Sequence, residues 1–139
     1  MTTQPDKVLY TARTHTTSGR DGAGRSSDGA LDVKLASPGS GKPGTNPEQL
    51  FAIGWSACFM GAMGLAAKRR KFPLPADTSV DAEVDLGMAG DGYVLQARLK
   101  VRVPGLDREL VAALAQEAHE TCPYSKATRG NIHVQIDIA

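Results

Sequence analysis

The feature that most constrains the fold of this chain is a long apolar segment at its centre, which begins after Asn46-Pro47-Glu48. Asn46, or the threonine before it, can cap a helix, Pro47 suits the first helical position, and Glu48 complements the positive end of the helix dipole. The following residues are apolar almost all round the predicted helix, although several are glycines, each of which costs a helix about 1 kcal/mol. We expect the helix to end near Arg70, because Pro73 prevents its continuation. A helix of this composition should be packed on every side, so we predict a buried central helix.

Alternating apolar and polar residues predict strands on both sides of this helix. The predicted strands span residues 8–14, 31–35, 79–86, 93–103 and 131–138, with a hairpin turn at residues 89–92. A second helix should begin at Asp107 and end near Cys122, because Pro123 follows. This order predicts an α+β fold in which an antiparallel sheet packs on the helices, as one domain over residues 1–139, and not a parallel doubly wound fold.

Charge and composition exclude several classes of function. The chain has 16 Lys and Arg against 15 Asp and Glu, a formal charge of +1, which gives no general attraction for nucleic acid or anionic lipid. No glycine-rich phosphate motif leads from a strand into a helix, so nucleotide binding is not indicated. No stretch approaches the ~20 apolar residues of a membrane-spanning helix, and residues 1–6 lack the features of a secretory signal. We therefore predict a cytoplasmic protein.

The two cysteines, Cys58 and Cys122, are compatible with several roles. A structural disulfide is uncommon in a reducing compartment, and two thiols cannot form a four-cysteine zinc site. Two inert core thiols, a catalytic thiol and a redox pair all remain possible. A buried free cysteine often behaves as a small hydrophobe, whereas a reactive Cys58 needs a nearby cation, because apolar surroundings raise the pKa of a thiol.

Arg20 is the best candidate for that cation, because it lies in a glycine-flanked loop whose backbone can closely approach another element. Glu48 could hold this arginine in a bidentate ion pair, or could simply complement the helix dipole. Glu48 and Cys58 are ten residues apart, so they lie near one face of the predicted helix. Cys122, at a helix end before a proline, could be a mobile resolving thiol or an incidental cysteine. The residues alone leave these alternatives open.

Several short strings occur together in one order along the chain. They are Gly19-Arg20-Asp21-Gly22, Ser26-Ser27-Asp28-Gly29, Gly44-Thr45-Asn46-Pro47-Glu48-Gln49-Leu50-Phe51, Ala57-Cys58-Phe59 and Cys122-Pro123-Tyr124-Ser125-Lys126-Ala127-Thr128-Arg129-Gly130-Asn131. In this combination the chain closely resembles the organic hydroperoxide resistance (Ohr) proteins of the Ohr/OsmC family, from about Tyr10 to Ile138. Two departures are modest: Ser18 stands where the family often has glycine, and Trp55 replaces a more usual tyrosine.

The resemblance implies an OsmC-like fold, with antiparallel sheets packed around a long buried central helix in an intertwined homodimer. It implies a thiol peroxidase that reduces organic hydroperoxides, such as alkyl or fatty-acid hydroperoxides, to alcohols without haem, metal or flavin. A lipoylated protein, or a lipoyl-type dithiol such as dihydrolipoamide, would be the reductant. The active sites would lie at the subunit interface.

The resemblance also implies roles for individual residues. Cys58 matches the peroxidatic cysteine and Cys122 the resolving cysteine, while Arg20 and Glu48 match the pair that supports the thiolate. Apolar residues of the central helix would then form a wall for the substrate; they are Leu50, Phe51, Trp55 and Phe59.

Two alternatives remain at this point. A sister OsmC-type peroxidase would share the chemistry but prefer different peroxides. A non-enzymatic protein that binds apolar ligands would have structural cysteines, and replacing either cysteine would leave its function intact.

Overall fold

The structure is a computed structural model that describes residues 2–139. The chain forms two compact units, one that ends at Pro47 and one that spans Glu48–Ala139. The N-terminal unit contains a three-stranded antiparallel sheet in the order β1-β2-β3. Its elements are β1 (Thr14–Thr17), a 3-10 turn (Gly19–Asp21), β2 (Ala23–Ser26) and β3 (Asp32–Lys34).

The first strand begins later in the chain than the sequence predicts. We expected a strand over residues 8–14, but β1 begins at Thr14 and residues 8–13 lie outside any strand. The reason is the length of the partner strand: β2 ends at Ser26, opposite Thr14, so no residue of β2 remains to pair with the earlier segment. Leu9 and Tyr10 are 87% and 78% exposed.

The C-terminal unit confirms most of the predicted elements and adds one short helix that the sequence did not predict. Its elements are α1 (Pro47–Arg69), β4 (Ser79–Ala89), β5 (Gly92–Arg102), α2 (Arg108–Thr121), α3 (Pro123–Thr128) and β6 (His133–Ile138). The central helix ends one residue before the predicted position, and β4 and β5 form the predicted hairpin. The fold class is therefore α+β, as the sequence predicts.

The sheet of the C-terminal unit is mixed, which corrects the prediction of purely antiparallel sheets. β4 and β5 pair antiparallel along their whole lengths, but β6 lies parallel to β5. A parallel neighbour needs a long crossover, and here α2 and α3 supply that connection between β5 and β6. The register runs from Gln96 opposite His133 to Val101 opposite Ile138, so β6 covers only part of β5.

One hydrophobic core lies between α1, β5 and α2. The fully buried side chains include Trp55, Phe59 and Met63 of α1, together with residues of the two facing elements. The facing residues are Ala97, Leu99 and Val101 of β5 and Leu114 and Ala118 of α2. Cys122, at the end of α2, belongs to the same core.

In the described chain α1 is not buried on every side, which corrects the sequence-based expectation. Ile53 and Leu65 are 71% and 59% exposed, and with Ala57 and Gly61 they form an exposed stripe at intervals of four residues. We call these four residues the α1 stripe. Residues four apart share one helix face, so the core contacts of α1 involve its other faces.

By length and composition alone, α1 could also cross a membrane, since it has 23 residues and few charges. The sequence-based statement that no segment approaches this length is therefore wrong. A core helix of a soluble protein has the same composition, and the largest apolar side chains of α1 are buried within this protein core.

The C-terminal end of α1 is closed by a Schellman motif. The N–H of Phe72 donates to the carbonyl of Ala67 at 3.2 Å, and the N–H of Lys71 donates to the carbonyl of Lys68 at 2.9 Å. This motif requires a left-handed residue, and Lys71 has a φ of 66°. Glycine usually occupies this position because a side chain there costs about 1–2 kcal/mol.

Replacing Lys71→Gly should therefore raise the free energy of unfolding by about 1 kcal/mol, since the strain exceeds the entropy that glycine loses on folding. Urea unfolding followed by circular dichroism measures the change. Lys68→Gly, one turn earlier within the helix, is the matched control and should lower stability by about 1 kcal/mol. A loss of stability in both variants would contradict the assigned strain.

Candidate active site

The structure brings the two cysteine sulfurs together. The thiol of Cys122 donates a hydrogen bond to the sulfur of Cys58, with 3.3 Å between the two Sγ atoms. Cys58 is half-buried on α1, whereas Cys122 is fully buried, and both are free thiols. Since a disulfide has a sulfur–sulfur distance of about 2.05 Å, the pair needs a movement of little more than about 1 Å to form one.

A proline sets the position of Cys122. Pro123 lacks an N–H and cannot extend α2, but it suits the first position of a new helix, so α3 begins there. Cys122 lies between the two helices in an extended conformation, with φ −61° and ψ 125°, and its N–H still donates to Ala118 at 2.7 Å. The sharp corner places the Cys122 thiol against α1.

The start of α3 also supplies a hydrogen bond to Cys58. The first N–H groups of a helix have no acceptor within the helix, and the N–H of Tyr124 donates to the Cys58 sulfur. This bond favours the thiolate, but burial opposes it more strongly, and the neighbouring Cys122 adds to the rise. The pKa of Cys58 is therefore raised above its ordinary value. A positive charge near the sulfur would lower this pKa and favour the thiolate.

A buried hydrogen bond joins α1 and α3 beside the two sulfurs. The indole Nε1–H of Trp55 donates to Oγ of Ser125 at 3.1 Å, and neither residue has exposed surface. The Phe51 ring packs on Trp55 and on Tyr124, with centroid distances of 5.4 and 6.0 Å. Gly54 permits this packing, because a Cβ there would lie 3.0 Å from the Tyr124 hydroxyl.

The four residues of the predicted substrate wall fall into two groups. Leu50 and Phe51 are half-buried at the start of α1. Trp55 and Phe59 have no exposed surface and belong to the core, so they present no surface to a substrate in this structure.

Arg20 and Glu48 lie in different units of the chain. Arg20 lies in the 3-10 turn. At the start of this turn, Ser18 and Gly19 have left-handed φ values of 57° and 58°. This left-handed backbone explains why glycine is suited to position 18, where this chain has serine. Glu48 is half-buried in the first turn of α1. The association of Arg20 with Glu48 and Cys58 stays a prediction.

Sequence reasoning assigned no role to Tyr124 or Ser125. Pro123 indicated the end of α2, but proline is also frequent at the first position of a helix, and that signal could have predicted α3. His119, on the last turn of α2, has a buried Nδ1 without a hydrogen-bond partner within residues 2–139. Burial also lowers its pKa, and no cluster of three metal-ligating side chains occurs in this part of the chain.

Comparison with known proteins gives consistent matches. The family described as OsmC-like protein matches residues 39–137. An organic hydroperoxide resistance protein of Xanthomonas axonopodis pv. citri is 48% identical, over 97% of this chain and 98% of the relative. The organic hydroperoxide resistance protein OhrB of Bacillus subtilis is 41% identical, over 94% of this chain and 98% of the relative. The OhrB crystal structure matches with a TM-score of 0.88 and 40% identity, covering 95% of this chain and all of that chain.

The different burial of the two thiols predicts a difference in their reactivity. In the reduced native protein, iodoacetamide should label Cys58 at least about tenfold faster than Cys122, because the buried thiol is shielded from reagent. Peptide mass spectrometry after timed quenching measures both rates. In urea the two rates should become similar, which controls for local sequence. Equal labelling in the native protein would contradict the described burial.

Proposed function

This chain belongs to the OsmC-like family, among its organic hydroperoxide resistance proteins, and we propose that it is a thiol peroxidase that reduces organic hydroperoxides to alcohols. The 3.3 Å approach of the Cys58 and Cys122 sulfurs is the main support, because a thiol pair this close can give up two electrons to a hydroperoxide by forming a disulfide. Alkyl and fatty-acid hydroperoxides are the proposed substrates.

The proposed reaction has two oxidative steps. The Cys58 thiolate attacks the distal oxygen of the hydroperoxide, the O–O bond breaks, and the alkoxide takes a proton and leaves as the alcohol. Cys58 is then a sulfenic acid. The sulfur of Cys122 attacks the Cys58 sulfur, the S–S bond forms, the S–O bond breaks, and water leaves with the Cys122 proton. The disulfide protects Cys58 from further oxidation.

Formation of the Cys58 thiolate is the step that needs help from charge. Burial raises the pKa of Cys58, and the single N–H donated by Tyr124 does not reverse the rise. We assign the missing positive charge to Arg20, held by Glu48 in a bidentate ion pair. The same guanidinium would stabilise the negative charge that develops on the departing alkoxide.

Leu50 and Phe51 are the proposed apolar contacts for the substrate, because they are half-buried near the start of α1. Trp55 and Phe59, which sequence analysis also assigned to this wall, are instead proposed to act through α1, since neither has exposed surface. An apolar wall favours organic hydroperoxides over hydrogen peroxide, because it gains little from contact with the smaller, more polar molecule.

A dithiol of the lipoyl type is the proposed reductant, either on a lipoylated protein or as dihydrolipoamide. It would attack the Cys58–Cys122 disulfide, form a mixed disulfide, and leave as a cyclic disulfide with both cysteines reduced. A cytoplasmic location is part of the proposal, because a dithiol reductant of this kind works in a reducing compartment.

We also propose that the protein acts as a homodimer. The α1 stripe exposes two large apolar side chains, Ile53 and Leu65, on a helix whose other faces form the core. Exposed apolar surface of this kind is typical of an interface. A second copy of the chain would cover the stripe and so fulfil the expectation that α1 is buried.

The first test of the mechanism separates the two cysteines. Cys58→Ser should abolish hydroperoxide reduction, because a serine hydroxyl is a far weaker nucleophile than a thiolate. Cys122→Ser should react once with peroxide and then accumulate Cys58 sulfinic acid, because no thiol remains to trap the sulfenic acid. Consumption of cumene hydroperoxide with dihydrolipoamide as donor, followed by intact-protein mass spectrometry, measures both. Normal turnover by Cys58→Ser would refute the peroxidase proposal.

The second test concerns the charge pair. Arg20→Ala should raise the pKa of Cys58 and slow peroxide reduction by about a hundredfold or more. Glu48→Gln should cost less, about tenfold, because it leaves the guanidinium present but poorly oriented. In the double variant the two losses should not add, since Glu48 acts through Arg20. Stopped-flow peroxide reduction and thiol titration of each variant give the cycle. Fully additive losses would mean that Glu48 is not the anchor of Arg20.

The third test concerns assembly. Leu65→Glu places a charge in the α1 stripe and should convert the dimer to a monomer, because a buried unpaired carboxylate is costly. Sedimentation velocity measures the change. Gln116→Glu, at an exposed position of α2, adds the same charge away from the stripe and should leave assembly unchanged. A wild-type monomer, or a dimer in both variants, would exclude the stripe as the interface.

A further inference from the structure

Two contacts join the same two segments at the site. One is the Trp55–Ser125 hydrogen bond, and the other is the Cys58–Cys122 sulfur pair. Trp55 precedes Cys58 by three residues on α1, and Ser125 follows Cys122 by three residues at the start of α3. On each segment, the cysteine and the hydrogen-bonding residue are therefore about one helical turn apart. Both contacts therefore join α1 to the segment that carries Cys122 and Ser125.

The Trp55–Ser125 hydrogen bond holds the two segments firmly because both of its groups are completely buried. A buried indole N–H without an acceptor, or a buried hydroxyl without a partner, is unfavourable, so the two groups hold each other. Ser125, the partner on α3, is itself held in place by further hydrogen bonds. The Thr128 hydroxyl donates to the carbonyls of Tyr124 and Ser125, at 2.9 and 3.1 Å, and the Arg129 N–H donates to the Ser125 carbonyl at 2.9 Å.

We infer that Trp55 and Ser125 are a positioning pair, which sets how fast the Cys58 sulfenic acid closes to the Cys58–Cys122 disulfide. This inference rests on the proposed function for the peroxide step, but the geometry that it concerns is that of the sulfurs alone. Trp55 and Ser125 hydrogen-bond to each other and not to the sulfurs, and each acts through the segment that carries its cysteine.

Closure competes with a second oxidation, and this competition makes the positioning measurable. In closure the Cys122 sulfur displaces hydroxide from the Cys58 sulfenic acid, and the Cys122 proton converts it to water. In the competing reaction the sulfenic acid attacks a second hydroperoxide and becomes sulfinic acid, with release of another alcohol. Slower closure therefore raises the ratio of sulfinic acid to disulfide at a given peroxide concentration.

The test uses Trp55→Phe, Ser125→Ala and the double variant of the full-length reduced protein. The first peroxide reaction, followed in single turnover as sulfenic acid trapped by dimedone, should keep its wild-type rate in Ser125→Ala, because that residue is fully buried and has no proposed contact with the substrate. Closure should slow about five- to tenfold in both single variants, which corresponds to the loss of one buried hydrogen bond. The ratio of sulfinic acid to disulfide, measured by mass spectrometry, should rise by the same factor.

The double variant distinguishes positioning from a merely structural role. Replacing both partners by apolar groups leaves no unsatisfied polar atom, so its stability should return toward that of the wild type. Its disulfide closure should remain as slow as in the single variants, because the hydrogen bond between α1 and α3 is still absent. Recovery of fast closure in the double variant would overturn the inference. Leu114→Ala controls for general destabilisation, since it creates a cavity in the core at α2 but keeps both the hydrogen bond and the sulfur pair.

A peroxide-free arm separates failure of the inference from failure of the proposed function. Diamide oxidises two neighbouring thiols to a disulfide and is itself reduced to the hydrazine, so it reports the approach of the sulfurs without peroxidase chemistry. If the wild type forms the disulfide with diamide but forms no sulfenic acid with hydroperoxide, the proposed function fails. The role of Trp55 and Ser125 in closing a sulfenic acid then fails with it. If all variants close with diamide and with peroxide as fast as the wild type, only the positioning inference fails.

Discussion

The C-terminal unit depends on the burial of α1, because a helix with so many apolar residues and glycines is not stable in water by itself. Burying a large apolar side chain contributes about 1.5–3 kcal/mol, so Trp55, Phe59 and Met63 together outweigh the cost of the helix glycines. The core that α2 and β5 form against these residues fixes α1 firmly. Cys58 is thus attached to a helix that the core of the unit holds in place.

That arrangement has opposite effects on the reactivity of Cys58. Burial holds the thiol in its neutral form, while the first turn of α3 directs one N–H at its sulfur. Pro123 makes the second effect possible, because it starts α3 without contributing an N–H of its own. A cation beside the sulfur would favour the thiolate, so the reactivity of Cys58 depends on charge as well as on this N–H.

The sequence predicts local elements well and long-range arrangement poorly, for physical reasons. The start of α1 and the β4–β5 hairpin depend on nearby residues, such as Pro47 and the glycines of the turn, and both were predicted correctly. The strand expected before Thr14 was wrong because pairing depends on the length of β2, and the direction of β6 depends on a crossover that alternation does not encode.

The site shows the same division. The resemblance singled out Cys58 and Cys122, but their separation of 3.3 Å follows from the packing of α3 against α1, which no spacing along the chain reports. Ser125 had no signal of its own, because its partner lies 70 positions away. The burial of Trp55 and Phe59 agrees with the predicted burial of α1, but an apolar helix does not reveal that Ile53 and Leu65 lie on an exposed face.

The register of β6 makes the sheet of the C-terminal unit unequal along its length. β6 begins opposite Gln96, so Gly92 to Leu95 pair only with β4, whereas the rest of β5 has a neighbour on both sides as far as Val101. A strand with one neighbour opens more easily than a strand with two. Amide hydrogens of β5 should therefore exchange with solvent in two classes, rapidly at the hairpin end and slowly where Ala97 and Leu99 enter the core. The hairpin end can move on its own while the half of β5 that packs on α1 stays closed.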